Sequence, residues 1–190
     1  MKIAILGWGS LIWQSKELSY DKTLGWQEDG VFLPVEFSRI SSNGGRLTLV
    51  IDKNAEQKVK TLYAVSLYEN LDLAILNLAI REGTDVSKIG FYNKQTNNIC
   101  PENFEFSDNI REWILNKNFD AVIWTNLSVR FKDKIGLSLN ADNVIKYLQT
   151  LPEEIKVLAE EYIRKAPEQV ETAFRKKIEE QLGWKPIKPK

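Results

Sequence analysis

A chain of 190 residues is long enough to bury a hydrophobic core and suits one domain. Its 26 basic and 26 acidic side chains leave no net charge, which argues against nucleic-acid binding by bulk positive charge. Histidine is absent and Cys100 is the sole cysteine, so Ser-His-Asp and Cys-His catalysis, histidine or cysteine zinc sites and an intrachain disulfide are excluded.

In chain order, residues 2–7 (KIAILG) read as a buried strand. This apolar run is too short for a signal peptide, and no later stretch is long and apolar enough to span a bilayer, so a cytoplasmic, non-membrane protein is expected. Residues 31–41 alternate loosely around Pro34, the mark of an edge strand or a bulge. Asn43-Gly44-Gly45 signals a turn into a strand over 46–52, and 60–67 forms another, so 42–67 reads as antiparallel β-structure. A helix is predicted over 70–81, with Asn70 as N-cap, Asp72 at its positive end and Gly83 to stop it. Strands over 89–94 and 98–100 flank a Gln95-Thr96-Asn97 turn; a helix over 107–118 and a strand over 121–125 follow.

Residues 140–150, 152–165 and 167–181 read as three amphipathic helices, with Pro152 and Pro167 at their first positions. This order gives an α+β class. A doubly wound parallel sheet fits less well, because strands follow strands without helical crossovers. One domain over 1–190 is expected: a core over 1–135, C-terminal helices over 136–184 and a frayed tail over 185–190.

Two features bear on chemistry. Gly7-Trp8-Gly9-Ser10 follows the first strand but lacks the third glycine of a dinucleotide fingerprint and the Gly-Lys-Ser/Thr of a P-loop. The residues alone leave two readings: a tight turn in which glycine relieves a positive φ, or a loop whose N–H groups hold an anion. The second feature is Leu71, Ile75, Leu78 and Glu82, which fall on one face of a helix. A carboxylate that continues an apolar stripe at a helix C-terminus has desolvation and the helix dipole both acting against its charge, which suits proton exchange near neutrality. Leu73, Leu76 and Ile80 widen the stripe, so a solvated glutamate at a frayed helix end is the competing reading.

Several stretches, taken in order, resemble the γ-glutamylcyclotransferase superfamily, and are closest to its ChaC-type, glutathione-specific branch. They are Gly9-Ser10-Leu11-Ile12-Trp13, the segment GRLTLVID over 45–52, Tyr63-Ala64-Val65, and LNLAIRE over 76–82 followed by Phe91-Tyr92. The likeness spans about residues 1–95; Trp8 stands where the family carries tyrosine, and the residues beyond 100 do not align. The resemblance implies a small mixed and antiparallel β-barrel with an inserted helix and a helical C-terminal part. It implies a 5-oxoproline-releasing lyase or acyltransferase with Glu82 as acid/base, and Gly7, Trp8, Gly9, Ser10, Leu11 and Tyr92 around a γ-glutamyl substrate.

In such a reaction the substrate's α-amine attacks its own γ-carbonyl, a five-membered ring closes, and the former amide nitrogen leaves as a free amine. Because the nucleophile is tethered, no covalent enzyme nucleophile, metal or cofactor is needed, and positioning contributes ~7–11 kcal/mol in good cases. The partner is then a small γ-glutamyl compound, with no nucleic acid and no membrane; the oligomeric state is left open. Arg39 and Arg46 could counter its negative charge, or be solvated or structural arginines. The alternative is a non-catalytic relative that binds a small carboxylate or a partner protein, since fold does not dictate reaction.

Overall fold

The computed structural model describes residues 1–42 and 44–187. Asn43 of the predicted turn and residues 188–190 of the predicted tail lie outside them. The chain runs β1 (Ile3–Gly7), β2 (Phe32–Leu33), β3 (Val35–Ile40), β4 (Leu47–Ile51), β5 (Val59–Lys60), β6 (Leu62–Val65), α1 (Leu71–Glu82), β7 (Ile89–Asn93), β8 (Asn98–Cys100), α2 (Ser107–Leu115), β9 (Ala121–Thr125), α3 (Lys132–Ile135), α4 (Ala141–Thr150), α5 (Glu153–Lys165) and α6 (Ala173–Leu182). The class is α+β. The residues fall into two compact units, each assembled from three separate segments of chain.

The first unit comprises Met1–Gly7, Gln14–Leu33 and Lys60–Leu127. Its sheet has the order β6-β1-β9-β7-β8, with β1 and β9 parallel and the other neighbours antiparallel. Among the described residues β6 and β8 do not pair with each other, so this sheet is open rather than closed into a barrel. All five residues of β1 are buried, the pattern of an interior strand covered on both faces. Tyr63, Trp113 and Phe119 meet edge to face or stacked, and Trp124 packs on Phe104 at 4.9 Å between ring centres. Gly90, paired with Trp124 across the sheet, leaves room for the indole; a Cβ there would come within 2.3 Å of the ring. Helix α1 forms as its sequence dictates. The Asn70 side chain accepts the N–H of Leu73, and Gly83 ends the helix in the left-handed region, at φ 62°.

The second unit comprises Trp8–Trp13, Pro34–Val59 and Ser128–Lys190. Strands β3 and β4 pair antiparallel with a register shift between Phe37 and Arg39, the irregularity that Pro34 and the loose alternation led one to expect. Gly44 and Gly45 turn the chain at φ 81° and 69°. Helix α6 packs on β3 and α5 on β4, while α4 lies against both helices.

Two predicted helix starts are corrected here. Pro152 is the N-cap of α5 rather than its first helical residue. The helix expected from Pro167 begins six residues later, at Ala173, because Thr172 is the cap: its side chain accepts the N–H of Arg175. The buried Arg175 guanidinium in turn donates to the carbonyls of Ala166, Pro167 and Val170. Those bonds pin the segment between the two helices, and one of them satisfies the carbonyl of Ala166, the C-cap of α5.

Candidate functional site

Glu82 is the last residue of α1, with a side chain 17% exposed. It is not alone there. Arg81 pairs with it, Nη1 to Oε1 at 2.6 Å, and Arg81 Nη2 donates to the Gln14 carbonyl at 2.6 Å. The buried face of α1 runs through Ala74, Leu78 and Arg81, while Leu71, Ile75 and Glu82 flank it half-buried and Leu73, Leu76 and Ile80 face solvent. The stripe predicted through Leu71, Ile75, Leu78 and Glu82 is therefore rotated. Two alanines, Ala74 and Ala79, let the helix lie close to β9 and β7. The side chain that carries the buried face to the helix end is an arginine, whose long stem can bury while its head finds acceptors. Glu82 is thus a carboxylate fixed by an ion pair at the margin of the core, within reach of water.

Tyr92, in the same unit, is buried on β7. Its hydroxyl donates to Asn97 Oδ1 at 3.2 Å across the β7–β8 turn, and the Arg111 guanidinium lies over its ring. These contacts account for the side chain without a ligand.

Gly7 ends β1 in the first unit, whereas Trp8, Gly9, Ser10 and Leu11 belong to the second. Neither Gly7 nor Gly9 adopts a positive φ, so relief of backbone strain is not why glycine stands there. The Ile12 N–H donates to the Gly9 carbonyl at 3.0 Å and closes a turn over 9–12. Trp8 and Leu11 turn their side chains into the core, and the Trp8 indole N–H makes a long bond, 3.4 Å, to the Leu49 carbonyl. Gly9 is required by a close approach: a Cβ on it would lie 2.6 Å from the Tyr162 hydroxyl. That hydroxyl also accepts the Leu49 N–H at 3.4 Å, and the Tyr162 ring is wedged between Trp13 and Phe37. A phenol from α5 therefore sits on the turn that opens the chain.

Sequence reasoning passed over a second carboxylate. Glu36 is the second residue of β3, with 2% exposure. Its Oε1 accepts the N–H of Phe37 at 2.8 Å, and its Oε2 accepts that of Phe174, in the first turn of α6, at 3.1 Å. Burial pushes its carboxyl from the ordinary 4.5 up to about 6, with the Thr172 hydroxyl and the two N–H groups pulling the other way and buried Asp52 adding a smaller upward push. The signal was present in VEF, an acid between two buried residues on a strand. It has meaning only once Thr172 is known to start a helix against that strand. With both oxygens on backbone N–H groups and almost no solvent contact, Glu36 caps a helix and is closed to a substrate.

An open depression of about 530 Å³ runs along residues 16–23 and Leu67, and none of the predicted site residues lines it. Among the described residues no three Cys, Asp or Glu side chains are grouped to hold a metal ion, and no helix is long and apolar enough to cross a membrane. Comparison with protein-family models, curated proteins and solved structures returns no match.

Proposed function

We propose that this protein is a γ-glutamylcyclotransferase-like enzyme that releases 5-oxoproline from a small γ-glutamyl compound, with Glu82 as the acid/base. The reading rests on the ordered resemblance over residues 1–95. The observation that carries it is the state of Glu82: a carboxylate held by Arg81, whose guanidinium also donates to the Gln14 carbonyl, partly shielded yet open to water. A group so fixed can take the proton of a substrate ammonium and return it to the departing amine, and such proton transfer contributes about 10²–10⁴-fold to rate. The same reading takes the protein to be cytoplasmic and the five-stranded sheet to be part of the wall of a small β-barrel.

The alternative is a non-catalytic binder of small carboxylates, which keeps the same fold while Glu82 transfers no proton. Purified full-length protein incubated with a panel of γ-glutamyl amides and dipeptides separates the two. Formation of 5-oxoproline that falls at least about a hundredfold in Glu82→Gln supports the enzyme. Full-rate turnover by that variant removes the role of Glu82. Thermal stabilisation by the same compounds without 5-oxoproline establishes the binder.

A further inference from the structure

The second unit holds a pair of arginines, Arg39 and Arg130, that no carboxylate neutralises among the described residues. Arg39, on β3, and Arg130, in the segment after β9, are direct partners in a parallel bridge. The Ile40 N–H donates to the Arg130 carbonyl at 2.8 Å, and the Arg130 N–H donates to the Ser38 carbonyl at 3.1 Å. Residues opposed in this way project from the same side of the sheet, so two guanidinium groups share one face. Arg39 Nη1 donates to the Ser128 carbonyl at 2.6 Å, and Arg130 Nε and Nη2 donate to the Ile40 carbonyl at 3.2 and 2.9 Å. Their other N–H groups have no acceptor among the described residues, and neither side chain forms a salt bridge there. Both are half-buried, and burial together with the neighbouring Arg130 charge draws the Arg39 guanidinium below its ordinary range.

Like charges directly opposed on a sheet are destabilising. Here the backbone carbonyls of Ser128 and Ile40 hold the two forks in place against that repulsion. Arg46 and Thr48 extend the same face. Thr48 is the β4 partner of Arg39, Arg46 stands two residues before it, and the intervening Leu47 points into the core. Two guanidinium groups are thus fixed on one face of a protein of zero net charge, and alternation along the chain puts a third arginine, Arg46, on that face.

We propose that Arg39, Arg130 and Arg46 form a binding site for a phosphate-type dianion, either inorganic phosphate or the phosphate group of a monoester. Two adjacent planar forks match the oxygens of a tetrahedral dianion bidentately, and a double negative charge offsets the repulsion that a single carboxylate would only halve. The site is independent of any role of Glu82.

Isothermal titration and thermal unfolding of the full chain, with inorganic phosphate against chloride at equal ionic strength, test this site; acetate and a simple phosphate monoester serve as further arms. Expected are saturable phosphate binding, a rise in Tm with phosphate that acetate and chloride do not give, and binding about tenfold or more weaker in Arg39→Lys, which keeps the charge and loses the fork. A monoester that binds more tightly than phosphate identifies the esterified form as the ligand; the reverse order identifies the free ion. Arg46→Gln, whose side chain makes no hydrogen bond among the described residues, must also weaken binding while its Tm in chloride stays near that of the parent. The proposal is overturned if phosphate stabilises no more than chloride, or if Arg39→Lys and Arg46→Gln both bind phosphate as the parent does.

Discussion

Replacing Glu36 with glutamine changes how stability depends on pH, and the burial of this carboxylate sets both sign and size. The folded carboxyl titrates at about 6 and the free one at 4.5, so the folded state keeps a proton that the unfolded chain has already released. Stability therefore falls as pH rises from 4.5 through 6, and the cost is complete above that range. At about 1.4 kcal/mol per pH unit, the span from 4.5 to 6 amounts to about 2 kcal/mol. Glutamine removes that slope but carries a single acceptor oxygen, so the N–H of either Phe37 or Phe174 loses its partner at a cost of about 1–3 kcal/mol. Near pH 4.5 only this loss acts and the variant is clearly weaker; near pH 8 the relief of the buried charge nearly offsets it. Urea unfolding of both proteins at five or six pH values between 4.5 and 8, extrapolated linearly to water, gives the difference at each pH. It should shrink by about 2 kcal/mol across the range. A difference that is constant, or that grows with pH, refutes the assignment of the slope to Glu36.

Gly9→Ala pushes a methyl group to 2.6 Å from the Tyr162 hydroxyl and should destabilise by about 1–3 kcal/mol in chemical unfolding. Adding Tyr162→Phe should recover most of that loss, and absence of recovery would show that the hydroxyl is not what Gly9 accommodates. Gly90→Ala should be costlier, about 3 kcal/mol, because Trp124 is fully buried against Phe104 and has nowhere to move. Thermal unfolding read by tryptophan fluorescence checks this, and an unchanged Tm contradicts it.

Elements whose signals are local were legible in the sequence. Asn70 and Gly83 bound α1 as their side-chain oxygen and missing Cβ require, and Pro34 broke the alternation at an irregular strand. Where a long-range partner decides, sequence reasoning erred. Pro167 looked like a helix start until Arg175, eight residues on, took its carbonyl. The face of α1 could not be chosen from apolar spacing alone, because eight of its twelve residues are Leu, Ile or Ala and only the sheet shows which of them meet β9. The parallel pairing of β1 with β9 joins residues more than a hundred positions apart and has no local trace. The candidate site divides in the same way. That Glu82 ends a helix was readable, whereas its ion pair with Arg81 and the phenol resting on Gly9 depend on three-dimensional neighbours.

The chain passes back and forth between its two units, and this governs the order in which they can form on the ribosome. The first strand leaves the exit tunnel early, yet its parallel neighbour at Ala121–Thr125 is made more than a hundred residues later. The second unit waits still longer, because the segment that includes Arg130, Tyr162 and Arg175 is translated after every segment of the first unit. Neither half can therefore be released as a contiguous fragment, and a nascent chain arrested in the middle exposes apolar strand edges to chaperones until their partner segments have been made.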